Sequence, residues 1–182
     1  MGKRFVGSFE VLVEDGAIFR PERIVGNLKT DCGVPQIYVA KCAQVYGGEF
    51  NLENGDIYIG EGTIVTDAHI AGSTIIGKNC EVRPGAYFRG NVVIGNNCTL
   101  RAELKNVVMM DDSDYPHISY AGDSVLGHKT HFGNQVTAAN FGIHKGRQDK
   151  EERETIKIDI NGKVYDTGLI KIGIISGDES QV

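Results

Sequence analysis

The sequence predicts an all-β solenoid, a parallel β-helix with a repeat of six residues, and three observations carry that prediction. Between Gly62 and Lys105 one large apolar residue recurs at every sixth position: Ile64, Ile70, Ile76, Val82, Phe88, Ile94 and Leu100. Two residues before each stands a smaller side chain: Gly62, Ala68, Thr74, Cys80, Ala86, Val92 and Cys98. Between these columns lie turn formers, among them Thr66-Asp67, Gly72-Ser73, Lys78-Asn79, Gly90-Asn91 and Asn96-Asn97. An amphipathic helix needs apolar spacings of three and four, and sandwich strands alternate by two between irregular turns. A fixed period of six is what stacked short strands around a prism produce. Three hexads close one triangular turn, so residues eighteen apart stack at the strand spacing of roughly 4.8 Å. The large column fills the prism and the small column faces inward near the corners. The turn pairs supply residues that accept φ > 0 at little cost.

The chain has 182 residues, enough for one domain with a real core. A formal net charge of −5 and the absence of a basic run argue against a nucleic-acid face. No apolar stretch is long enough to span a membrane, and Met1-Gly2-Lys3-Arg4 does not open a secretory segment. Of the four cysteines, Cys32, Cys42, Cys80 and Cys98, two fall in the small inward column. There a thiol behaves as a small hydrophobe, so core thiols in a reducing cytoplasm are expected.

In chain order, residues 1–56 lack the hexad and read as an N-terminal β cap that covers the exposed edge of the first coil. Within it, Phe5 to Val13 alternates, Glu14-Asp15-Gly16 turns, and Ala17-Ile18-Phe19 follows, which predicts a hairpin. Pro21 to Pro35 reads as irregular, and Ile37 to Val45 fits a strand or a short helix. The β-helix domain spans 57–182. After Leu100 the register changes through Val107-Val108-Met109-Met110 and a polar loop. It resumes in a new phase at Tyr120, Leu126, Phe132 and Ala138, and the break holds His117. Breaks of this kind tend to carry function. Asn140 to Glu154 reads as a charged loop. Residues 154–167 contain alternating Ile156, Ile158, Ile160 and Val164 around Asn161-Gly162, which predicts a C-terminal β-hairpin with a type I′ turn. Leu169 to Ile175 starts another coil.

The string from Pro116 to Phe141, PHISYAGDSVLGHKTHFGNQVTAANF, resembles hexapeptide-repeat acyltransferases. It is similar to the C-terminal acetyltransferase domain of N-acetylglucosamine-1-phosphate uridyltransferase / glucosamine-1-phosphate N-acetyltransferase, and closer to archaeal-type sugar nucleotidyltransferases with the same β-helix. The H-x-x-Y-x-G-D core is the specific part, and the resemblance covers roughly residues 57–178. It implies a left-handed coil, a homotrimer with sites between subunits, and acetyl-CoA as co-substrate for acetylating an amino-sugar 1-phosphate. By position it implies His117 as the catalytic base, Tyr120 and Lys105 as contacts to the sugar phosphate, and Asn140 near the acetyl group. Arg83 and Arg89 are equal candidates for a further phosphate contact. His131 stands where the family has a sugar-binding asparagine, and Gly133-Asn134-Gln135 replaces a Gly-Ala-Gly turn. The family's later coils are expected to be missing after Ile175, as is its nucleotidyltransferase domain, so pyrophosphorylase activity is not expected.

The chemistry stands on its own terms. An amine must lose a proton to attack a thioester, and histidine titrates in the right range. Lysine and arginine suit a phosphate dianion, and backbone N–H groups at the break can hold an oxyanion. Plainer readings stand beside these. His117 can be a polar loop residue, Lys105 and Arg89 solvated charges, and Tyr120 a core phenol. His128 and His131 are three apart, whereas trimeric γ-type carbonic anhydrases use a pair five apart, so no metal is expected. Two classes remain: an N-acetyltransferase, or a catalytically degenerate trimeric module. The second would bind sugar nucleotides or serve a separate nucleotidyltransferase subunit.

Overall fold

In the computed structural model, which describes residues 2–6, 9–26, 33–141 and 153–182, the chain winds as a left-handed parallel β-helix with three flat faces. The first face stacks strands Phe9–Val13, Gln36–Val39, Ile57–Ile59 and Thr74–Ile76 in parallel, followed by the later halves of Tyr87–Ile94, Glu103–Met109 and Tyr120–Leu126. The second face stacks Ile18–Arg20, Gln44–Tyr46, Ile64–Thr66, Glu81–Val82, Thr99–Leu100 and Asp114–Tyr115. The third face stacks Arg23–Val25, Glu49–Asn51, His69–Ala71, the first halves of the same three long strands, and Thr137–Ala138. Each long strand bends round the corner between the third and first faces, so those faces form one continuous sheet.

The interior is a single apolar column. Phe50, Phe88, Tyr115 and Phe132 are fully buried, as are Val65, Ile70, Ile76 and Leu100. Cys80 and Cys98 lie buried in the small column as free thiols, while Cys42 is exposed at a corner and Cys32 lies outside the described residues.

The periodicity expected from sequence holds from Ile70 to Leu100 and slips on either side. Ile64 points outward, 42% exposed, and Val65 fills the interior with Thr63 beneath it. The inward position expected for Tyr120 is taken by fully buried Ala121, and Tyr120 lies at the surface, half-buried. The physical reason is that rungs differ in length. Along the second face the pairing steps from Gln44 to Ile64, then to Glu81, to Thr99 and to Asp114. The first of these steps is longer than three hexads, the third equals them, and the second and fourth fall short. One shortening lies at the corner where Gly90-Asn91 is opposed by Asn106 alone, a register shift between the long strands.

Coil strands are already present from Phe9, within the stretch read from sequence as a cap. Ile18–Arg20 does not fold back on Phe9–Val13. It lies on the next face and pairs in parallel with Gln44–Tyr46. The antiparallel partner of Phe9–Val13 is Gly2–Val6, which lines the edge of the first rung as a β cap. Ile37 to Val45 forms parts of two strands with Cys42 at positive φ between them. Residues 27–32 of the irregular stretch and 142–152 of the charged loop lie outside the described residues.

At the C-terminal end the coil makes one long detour. Asp114 bridges to His131, an ordinary rung further along, but His131 bridges to Gln181, far beyond where the next rung would fall. The difference holds the hairpin Lys157–Ile160 and Lys163–Asp166, turned at Asn161-Gly162 with φ of 53° and 81°, as a type I′ turn requires. The chain rejoins the coil where Ile175 bridges to Val125.

Two outcomes test this register. Val65→Lys places a charge in the prism and removes the cooperative unfolding transition, because an unpaired buried charge costs several kcal/mol against a total of about 5–15 kcal/mol. Ile64→Lys, beside Glu81 and Gln44 on the surface, leaves the denaturation midpoint within about 0.5 kcal/mol of wild type. Burial pushes the Tyr115 phenol up to about 12. A raised acid pKa contributes stability that is complete below the ordinary tyrosine value near 10 and is lost as pH climbs through the folded value. Tyr115→Phe flattens that alkaline loss in a denaturation series over pH 9–12, and costs about 1–2 kcal/mol at neutral pH.

Candidate functional site

The four-residue corner Pro116 to Ser119 joins the second face to the third and carries His117 exposed. The corner is tied at its base by Tyr115. Its buried hydroxyl lies 2.7 Å from the Val136 carbonyl oxygen and 3.1 Å from that of Tyr120, so the core phenol clamps both the next rung and the corner's far end. Ser119 Oγ in the same corner is buried without a hydrogen-bond partner. His117 forms no ion pair among the described residues.

Past the corner, the third face presents two outward columns. Tyr87, Glu103 and Tyr120 stack in one, and Arg89, Lys105 and Gly122 in the other. Arg89 sends Nε (2.7 Å) and Nη2 (2.5 Å) to one oxygen of Glu103, and its guanidinium lies 5.9 Å from the Tyr87 ring centre. That carboxylate holds the arginine above its ordinary value, so its charge is largely spent within the face. Lys105, next above it, is half-buried and makes no ion pair among the described residues.

Tyr120 leans over Gly122 toward Asn140. A Cβ built on Gly122 would fall 2.3 Å from the phenol oxygen and 2.6 Å from Asn140 Nδ2, so glycine is what lets the two meet. Burial raises the Tyr120 phenol, with Arg89 pulling the other way. Asn140 Nδ2 also donates to Asp123 Oδ2, and Asn106 Nδ2 donates to Asp123 Oδ1 at 2.9 Å.

Of the residues singled out from sequence, the fold thus gathers Lys105, Arg89 and Tyr120 on one face, with His117 at its leading corner and Asn140 at its trailing one. Arg83 and His131 fall elsewhere. Arg83 follows the second face and pairs with Glu81 at 3.0 Å, which raises its pKa. His131 sits on the second face, stacked on Asp114, with Nδ1 3.8 Å from that carboxylate. Sequence reasoning assigned no role to Glu103, nor to Asp123 although it closes the H-x-x-Y-x-G-D core. Asp123 had a signal: it stands at the same distance along the chain from Asn106 and from Asn140, one full rung each way. Glu103 had none, because its pairing with Arg89 exists only across rungs. Among the described residues no group of His, Cys, Asp or Glu side chains could hold a metal ion, and no helix is long and apolar enough to cross a membrane.

Residues 73–103 match the family model described as bacterial transferase hexapeptide (six repeats). The bifunctional protein GlmU of Nitrosospira multiformis is 29% identical over 144 residues, covering 71% of this chain and 31% of that protein. The bifunctional sugar-1-phosphate nucleotidylyltransferase/acetyltransferase of Sulfurisphaera tokodaii is 35% identical over 136 residues, covering 64% of this chain and 32% of that protein. The GlmU of Bifidobacterium longum is 33% identical over 98 residues, half of this chain and 20% of that protein. The chain therefore spans about a third or less of the length of these relatives. It is a left-handed β-helix whose residues 73–103 match bacterial transferase hexapeptide repeats, and it is similar over half to 71% of its length to these bifunctional proteins.

Proposed function

We propose that this protein is an acetyl-CoA-dependent N-acetyltransferase acting on an amino-sugar 1-phosphate, working as a homotrimer with its sites between copies. The observation that carries this reading is the convergence over Gly122 of the Tyr120 phenol and the Asn140 amide, beside a lysine with no ion pair among the described residues. In the proposed reaction the substrate amine attacks the thioester carbonyl, the carbon–sulfur bond breaks, and CoA leaves as its thiol. His117 takes the proton from the attacking nitrogen. Lys105 receives the phosphate, a task for which Arg89 is less suited because Glu103 already neutralises it. The free buried thiols support a reducing, cytoplasmic setting.

Two features support the assembly. His117 stands at one end of the third face and Lys105 and Asn140 at the other, with about 10 Å of strand between them. Bringing base and phosphate receptor to one small substrate is then a task for two copies. The outward row of the first face, including Ile75, Val93, Val108, Val125 and Ile175, is also apolar and exposed. Apolar surface of that extent marks interfaces. The Arg89–Glu103 pair favours a second reading, a non-catalytic module that binds sugar nucleotides or a separate nucleotidyltransferase subunit.

Thiol release from acetyl-CoA in the presence of glucosamine 1-phosphate tests the proposal. His117→Ala lowers kcat by roughly 10²–10⁴-fold, and Lys105→Ala raises KM for the sugar phosphate with a smaller change in kcat. Absence of turnover from protein that sedimented as a folded trimer would reject the enzyme and favour the binding module.

A further inference from the structure

Asp123 lies at the corner between the third and first faces, with φ of +49°. Both its carboxylate oxygens are taken by amide donors: Oδ1 by Asn106 from one rung below, Oδ2 by Asn140 from one rung above. Its backbone carbonyl accepts the N–H of Gly173 at 2.8 Å, where the chain returns from the hairpin detour. A carboxylate can only accept hydrogen bonds, so the end of each amide that faces it is the NH₂. For Asn140 this fixes the flip of the side chain. The same nitrogen and the Tyr120 oxygen both border the space over Gly122. The Asn140 NH₂ is thus held on the Asp123 side. The end of the side chain turned away from Asp123 is its carbonyl oxygen.

We infer that Asp123 is a positioning residue that locks Asn140 with its oxygen toward the ligand. Asn140 then offers an acceptor to an N–H of the bound amine. This rests on the reading of the face as an amine-acetylating site. Its chemical content is specific: an acceptor orients the amine hydrogens and leaves the nitrogen lone pair aimed at the thioester.

The test is a reciprocal exchange in the full-length chain. Asp123→Asn keeps a residue that tolerates φ > 0 but offers Asn140 a partner of either polarity, and thiol release with glucosamine 1-phosphate falls roughly tenfold. The double variant Asp123→Asn/Asn140→Asp restores an amide–carboxylate pair in reverse and still presents an oxygen to the ligand, so activity returns to within a few-fold of wild type. A double variant no better than Asp123→Asn, or an unchanged Asp123→Asn, would overturn the inference. Should wild type itself show no turnover, the acetyltransferase reading fails separately, and the lock is read without activity. In ¹H–¹⁵N spectra the Asn140 side-chain NH₂, identified by its loss in Asn140→Asp, exchanges slowly with water in wild type and quickly in Asp123→Asn. Equal exchange in both would refute the lock.

Discussion

Everything in this molecule depends on one corner being made the same way on every rung. Between the first and second faces the chain turns through a residue at positive φ each time: Gly16, Cys42, Gly62, Asn79, Asn97, Asp112, Lys129 and Glu179. Only two of these are glycine. For the others the left-handed conformation costs about 1–2 kcal/mol each, and the stack offsets it. The N–H of Asn79 reaches the Glu61 carbonyl at 2.9 Å, that of Asn97 reaches Lys78 at 2.8 Å, and that of Asp112 reaches Asn96 at 2.8 Å. Lys129 and Glu179 repeat the bond to Asp111 and His128. Each of these five strained residues is thus held by the corner beneath it, and a rung displaced by one residue would lose the bond and keep the cost. Side chains extend the same ladder, with Asn97 Nδ2 donating to Asp112 Oδ1 at 2.9 Å and Asn96 Oδ1 accepting from the Lys78 N–H at 2.8 Å.

That regularity at one corner leaves the other two free to vary. Four residues join the second and third faces at Pro116 to Ser119, but two do so at Arg101-Ala102. The corner between the third and first faces accommodates either Gly90-Asn91 or Asn106 alone, and later releases the chain into a hairpin detour before taking it back at Gly173. The candidate site occupies the span between these variable corners. His117 is on one and the Asn106–Asp123–Asn140 ladder on the other. Backbone ladders above and below hold the intervening face rigid, so polar side chains on it can be aimed without the face itself having to close around a ligand.

Charges on the face are organised by neighbours one rung away. Arg89 and Glu103 are distant in sequence and bonded in space. Asp123 is shared by two asparagines a rung above and below. This changes the chemistry from what residue types alone imply. Of two cations in one column, one is spent on an internal carboxylate and the other makes no ion pair among the described residues. An asparagine whose amide could face either way has its NH₂ turned to a carboxylate.

The sequence by itself determined the solenoid, because a period of six with a small residue two places before each large one has no other packing solution. It also determined the hairpin at Asn161-Gly162, where local turn chemistry suffices, and the string around His117, Tyr120 and Asn140. What only the tertiary structure decided was which side chain faces inward where the rungs change length. Val65 rather than Ile64 and Ala121 rather than Tyr120 fill the prism, because rungs of unequal length cannot be phased from a fixed repeat. The start of the coil within residues 1–56 was hidden for the same reason, since its pairings step from Glu10 to Gln36 and from Ile18 to Gln44, both well beyond three hexads. The separation of Arg83 and His131 from Lys105, and the neutralisation of Arg89, were likewise decided by which residues the winding stacks one strand spacing apart, a distance of roughly 4.8 Å that linear order does not encode.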